Sequence, residues 1–263
     1  MKNLKLKRIV IKVGSHVLSE HNRIAKERMM NLVAFISNLH DKYEVIVVSS
    51  GAVAAGYSKI KLDKSIVANR QAIAAVGQPF LMREYQKKFE KYDKLTAQFL
   101  LTASDFDSRK RTEFAKNAIE VCLKNSIIPI INENDTTATD ELVFGDNDRL
   151  SAHVTYYFDA DMLVILSDID GYYDKDPREN DNAILKKIVY SISADETNIK
   201  VNPNNFFATG GIATKLKAAD FLLKRNKIMF MANGFDLSDA KSFLLEGIHK
   251  SGTLFCPISK ECE

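Results

Sequence analysis

Ile127-Ile128-Pro129-Ile130-Ile131-Asn132-Glu133-Asn134-Asp135, followed a short way on by Gly145-Asp146-Asn147-Asp148-Arg149-Leu150, is the stretch that decides the fold. Its apolar opening is too short for a helix and rich in β-branched residues. That reads as a strand buried on both faces, the kind found in a parallel sheet. The strand gives out into Asn132, Glu133, Asn134 and Asp135, and the carboxyl edge of an open α/β sheet is where ligands bind. An isolated Gly-Asp-Asn-Asp is an ordinary turn or helix cap. Two polar clusters after one buried strand exceed what a plain connection of about 2–6 residues needs. The excursion therefore reads as a ligand loop.

Outward from this stretch, strand-like runs and helical patterns alternate. Ile9 to Val13, Val45 to Val48, Leu95 to Leu101, Met162 to Leu166 and Ile228 to Met231 read as strands. Between them, Met29, Leu32, Val33, Ile36 and Leu39 recur at helical steps over Ala25 to His40. Further helices are expected over Ala52 to Tyr57, Ile66 to Val76, onward from Pro79 as a first helical position, and Ser108 to Lys124. In the last, Phe114, Ala118, Val121 and Cys122 mark the expected apolar side. Such alternation predicts a three-layer α-β-α sandwich around a mostly parallel sheet. No repeat or linker divides the chain, so residues 1–263 are expected to form one domain.

The totals exclude several function classes. Hydrophobic residues make up 46% and charged residues 27% of 263 positions, enough for a sizeable core. Lys and Arg number 37 against 34 acidic residues, a net charge of +3 without long runs, which gives nucleic-acid binding little support. Cys122, Cys256 and Cys262 are odd in number and lack Cys-x-x-Cys spacing. That argues for a reducing compartment, against a disulfide or zinc framework, and for Cys122 as a small buried hydrophobe. No apolar run approaches the roughly 20 residues of a membrane span. A soluble, cytoplasmic chain is expected.

Three strand-to-helix turns carry candidate chemistry: Lys12-Val13-Gly14-Ser15, Ser49-Ser50-Gly51-Ala52, and Thr209-Gly210-Gly211-Ile212-Ala213-Thr214-Lys215. Small residues there let backbone N–H groups approach a ligand, and a following helix presents its positive end to anions. There is no Gly-x-Gly-x-x-Gly, no Walker A Gly-Lys and no His-Arg-Asp set, which counts against Rossmann, P-loop and protein-kinase sites. Lys12 stands in an otherwise apolar strand, where a charge is costly without a partner; the ordinary alternative is a snorkelling side chain. Lys215 alone would pass for an exposed helix lysine. Two lysines on anion-favouring turns beside an aspartate-rich loop are the parts phosphoryl transfer needs.

In order and over nearly the whole chain, these turns resemble the glutamate 5-kinase branch of the amino acid kinase family. The resemblance implies that Lys12 and Lys215 stabilise the transferring phosphoryl group and that Asp148 orients them. It places the amino acid on Ser50, Gly51, Asp135, Asp146 and Asn147. It places the nucleotide on Lys12, Gly14, Ser167, Asp168, Tyr173 and the run Thr209, Gly210, Gly211, Ile212, Ala213, Thr214 and Lys215. Residues to about 155 would serve the amino acid and residues from about 156 to 257 the nucleotide. Implied partners are L-glutamate, ATP and Mg²⁺ held by nucleotide phosphates and waters, with no protein metal ligand assigned. Feedback inhibition by L-proline and a homo-oligomer, dimer or tetramer, are further implications. Two departures are mild, Ser49 where Thr is expected and Ile212 where Met is common; the larger one is at the end, where a form without the PUA domain of many relatives is expected after Gly252-Thr253-Leu254-Phe255. The rival from another class is a catalytically idle module that senses proline or nucleotide.

Overall fold

Side-chain alternation in β1 (Arg8–Val13) divides the molecule. Ile9, Ile11 and Val13 enter one apolar layer and Val10 the other, so Lys12, in phase with Val10, belongs to the second side. The computed structural model describes residues 4–138, 147–197 and 211–260. All six β1 residues are buried, which puts this strand at the centre of the sheet, as its apolar run predicts.

Outside the sheet, β2 (Ser19–Glu20) and β3 (Arg23–Ile24) form a small antiparallel hairpin. The other strands are β4 (Glu44–Ser49), β5 (Leu95–Leu101), β6 (Ile127–Glu133), β7 (Met162–Ser167), β8 (Ile188–Val189), β9 (Ile228–Asn233) and β10 (Thr253–Phe255). They assemble in the order β5-β6-β4-β1-β7-β9-β10-β8. Neighbours from β5 to β9 are parallel, and β10 reverses against β9. Lys12 lies opposite Val48 on one side and Ile165 on the other. The chain leaves β6 on one flank of β1 and re-enters as β7 on the opposite flank. That reversal is the switch point at which open α/β sheets bind ligands, and Asn147 and Asp148 lie on the connection that makes it.

Helices cover both faces, completing the expected sandwich. On the first face lie α1 (Ser15–Leu18), α2 (Lys26–His40), α3 (Ala52–Tyr57) and α4 (Val67–Phe89). The second face carries α5 (Arg109–Lys124), α6 (Asp148–Tyr157), and, beyond the short α7 (Ala194–Thr197), α8 (Gly211–Leu223). Ser108 caps α5 by accepting from the Arg111 N–H, as its residue type favours.

Three expectations need correction. The segments before and after Pro79 are a single helix, α4, with the proline inside it; burial of Ile73, Ala74, Leu81, Tyr85 and Phe89 along one side outweighs the lost backbone donor. On α5 the expected apolar stripe faces outward: Phe114 and Val121 are exposed, whereas Ile119 and Leu123 meet the core. Packing against β6 selected the other stripe of an ambiguous pattern. Cys122 is free and only half-buried, and Cys256 is disulfide-bonded, contrary to the expectation of unpaired thiols.

The α3–α4 contact is made by backbone. A Cβ on Gly56 would sit 1.8 Å from the Ile73 carbonyl oxygen, and one on Gly77 would sit 1.9 Å from the Ala52 carbonyl oxygen. Neither position has room for a methyl group. Gly56→Ala and Gly77→Ala are each expected to destabilise by about 1–3 kcal/mol through overpacking, read as a lower urea midpoint at constant m. A midpoint equal to that of the parent would show that the helices part without cost.

Candidate active site

Asp148 lies on the connection from β6 to β7 and opens α6 with Asn147 as N-cap. An aspartate in the first turn of a helix sits where the helix dipole favours negative charge. Its carboxylate is fully buried and receives two ammonium groups: Lys12 Nζ lies 2.7 Å from Oδ1 and Lys215 Nζ 3.1 Å from Oδ2. Both lysines are buried as well. Thr214 donates to Oδ2 at 2.9 Å, and Lys215 donates to the Gly211 carbonyl at 2.9 Å. Lys12 arrives from the central strand and Lys215 from the first turns of α8, so β1, α6 and α8 converge on one carboxylate. A buried ion pair survives only with close geometry and added hydrogen bonds, and both are present.

On the other side of the sheet edge runs a chain of amides. Asn147 Nδ2 donates to the Ser49 carbonyl at 2.6 Å and to Asn132 Oδ1 at 2.8 Å. Asn132 Nδ2 donates in turn to Gln78 Oε1 at 2.8 Å. Ser49 Oγ meets the Tyr85 hydroxyl at 2.9 Å, and burial pushes that hydroxyl up. Asn147 is thus tied directly to β4 and β6 and, through Asn132, to α4, immediately before the residue that meets both lysines.

The remaining expected residues divide by position. Gly14 donates to the Leu166 carbonyl at 3.1 Å, and a Cβ built on it would lie 4.0 Å from Lys12 Nζ. Ser50 is buried, and Gly51, at φ 102°, supplies the left-handed N-cap of α3. Ser167 ends β7 and donates to Asp168 at 3.0 Å. Asp168 lies 3.7 Å from Arg178 Nη2 and 3.7 Å from His16 Nδ1. Ile212 and Ala213 are buried in the first turn of α8, Ile212 among the second-face core residues. Tyr173 donates to Asp170 at 3.0 Å, and burial with that carboxylate pushes its hydroxyl up to about 12. Burial raises the Asp135 carboxyl to about 6, and burial with Asp135 nearby raises Glu133 to about 7. Among the described residues, neither Asp135 nor Tyr173 hydrogen-bonds to the lysine–aspartate cluster. Asp146, Thr209 and Gly210 lie outside the described residues.

Sequence reasoning missed Gln78 and gave Asn132 no role beyond its place in a polar cluster. For Gln78 the signal was misleading, because Gly77-Gln78-Pro79 reads as a break between helices.

Chemically, two ammonium groups meet one carboxylate in a buried setting at a sheet edge. Such a device is preorganised to meet developing negative charge. The described residues contain no group of three His, Cys, Asp or Glu side chains placed to hold a metal, and Asp148, the most buried carboxylate, is already neutralised by lysines.

Comparison with known proteins agrees with this architecture. Residues 7–231 match the amino acid kinase family. A glutamate 5-kinase of Wolinella succinogenes is 58% identical over 255 residues, covering 95% of this chain and 98% of that protein. A glutamate 5-kinase of Leishmania donovani is 56% identical over 250 residues, 95% of each. The crystal structure of T. acidophilum isopentenyl phosphate kinase superposes with a TM-score of 0.66 at 15% identity, over 95% of this chain and 100% of that one; this shows a shared fold. A switch point furnished with two lysines on one aspartate, and relatives this similar along nearly their whole length, lead to one conclusion: the chain belongs to the amino acid kinase family.

Proposed function

We propose that the chain transfers the γ-phosphoryl group of ATP to the γ-carboxylate of L-glutamate, giving L-glutamyl 5-phosphate and ADP, the opening step of proline synthesis. The observation that carries this reading is the adjacency of Asn147 and Asp148, one bound into the amide chain and the other to both lysines. Similarity to the two glutamate 5-kinases supports the choice of acceptor.

A γ-carboxylate is ionised at neutral pH, so the acceptor needs no general base. One carboxylate oxygen forms a bond to the γ-phosphorus as the bond to the ADP oxygen breaks. Lys12 and Lys215 meet the negative charge spread over the transferring group, and Asp148 keeps them in place beforehand. Mg²⁺, when bound with ATP, would neutralise phosphate charge. Ser50, Gly51, Asp135, Asp146 and Asn147 are proposed to hold the amino acid. Gly14, Ser167, Asp168, Tyr173 and the turn from Thr209 to Thr214 are proposed to line the nucleotide. The division at about residue 155, a cytoplasmic location, a homo-oligomer and inhibition by L-proline extend the same reading. An idle sensing module is disfavoured: burying two lysines on one aspartate carries an electrostatic cost that sensing does not require.

Incubation with ATP, Mg²⁺ and hydroxylamine is expected to yield hydroxamate with glutamate and not with aspartate or N-acetylglutamate; a different preference among the three would overturn the acceptor. Lys12→Ala and Lys215→Ala should each lower kcat by on the order of 10²-fold or more, the scale of losing one transition-state donor. Turnover near the parental rate in either would remove that lysine from the chemistry. Asp135 supplies a pH signature. Its carboxyl titrates at about 6 because burial favours the neutral form, and pairing with the substrate ammonium needs the ionised form. KM for glutamate should therefore fall as pH rises through about 6, and Asp135→Asn should flatten that dependence. A parental KM that is constant from pH 5 to 7.5 would contradict the pairing.

A further inference from the structure

Gln78 lies in α4 directly after Gly77, whose backbone presses on Ala52 at the start of α3. It is 8% exposed. Its carboxamide has a fixed orientation, set by neighbours that cannot rotate. The Ser49 carbonyl accepts from Asn147, so the Asn147 amide nitrogen must face it. Asn132 Oδ1 accepts both from that nitrogen and from the Glu133 backbone N–H at 2.9 Å. Reversing Asn132 would set donor against donor at two places, so its own Nδ2 must point to Gln78. Only an oxygen can receive it there. The Gln78 Oε1 atom is thereby committed inward, and Nε2 is left buried without a hydrogen-bond partner among the described residues.

A buried amide donor with no acceptor is destabilising, and here two backbone groups impose the arrangement. An orphan donor on the amide that accepts from Asn132 points to an acceptor supplied from outside. An amino acid's ammonium group has only donors to offer, whereas each of its carboxylates presents acceptor oxygens. We infer that Gln78 Nε2 donates a hydrogen bond to a carboxylate oxygen of the amino-acid substrate, which makes Gln78 a specificity-determining residue whose direction is set through Asn132 and Asn147. This rests on the glutamate reading above.

Gln78→Glu is the discriminating variant, because it keeps an oxygen for Asn132 while turning the free donor into an acceptor. KM for glutamate should rise roughly tenfold or more, with KM for ATP and the thermal midpoint close to parental. The penalty relative to the parent should shrink at low pH, where a protonated glutamic acid can donate again; a purely structural role would not produce that recovery. A Gln78→Glu protein with parental KM for glutamate would overturn the inference. Should that variant fold poorly, the parental protein provides a second measurement. With ¹⁵N-labelled glutamine, the Gln78 side-chain amide resonance should shift on saturation with glutamate and not with ADP, and an unmoved resonance would overturn the inference equally. If the parental protein gives no glutamate-dependent hydroxamate, both the reading and the inference fall; if it does and Gln78→Glu is unchanged, only the inference falls.

Discussion

A carboxylate shared by two ammonium groups inside a protein is stable only if none of the three can move. That constraint organises this molecule. Asp148, Lys12 and Lys215 come from distant parts of the chain, and each is buried. Removing water strengthens their attraction but also raises the cost of any gap between them. The central strand fixes Lys12 through pairing on both sides, and the first turns of two helices bring the partners to it. The rigid surroundings of β1 thus stand behind whatever the site does.

Asn147 and Asp148 are neighbours in sequence but serve opposite faces of the sheet. Asp148 turns toward the layer of α6 and α8, and Asn147 reaches the amides and carbonyl on the side of α3 and α4. A single peptide unit therefore links the cationic group to the polar chain. If one end holds a phosphate and the other an amino acid, their separation is set by one residue's geometry, the kind of positioning that makes a transfer reaction fast.

Much of this was legible before any coordinates. Lys12 was conspicuous because a charge within Ile9, Val10, Ile11 and Val13 requires an explanation, and the structure supplies Asp148. The run Ile127 to Ile131 announced a buried parallel strand and formed one. Failures arose where local signals were weak or divided. Pro79 reads as a helix start, yet tertiary packing carries α4 straight through it. Two apolar stripes compete on α5, and only contact with the sheet decides between Phe114 with Val121 and Ile119 with Leu123. Gln78 was invisible because an amide in a helix becomes informative only when its partners, far off in sequence, are known. The short β8 and β10 carry too few residues to show a period.

The glycine contact between α3 and α4 has a bearing on how such a pocket could change. Because the two helices meet main chain to main chain at Gly56 and Gly77, they are already at their closest approach and cannot be drawn nearer. On the proposed reading, which sets the amino acid against Ser50, Gly51 and Gln78, the acceptor site could not shrink by drawing these two helices together. Adapting it to a shorter dicarboxylic acid would have to come from longer side chains reaching in from the rim, while a longer acid would demand that the helices be re-seated together.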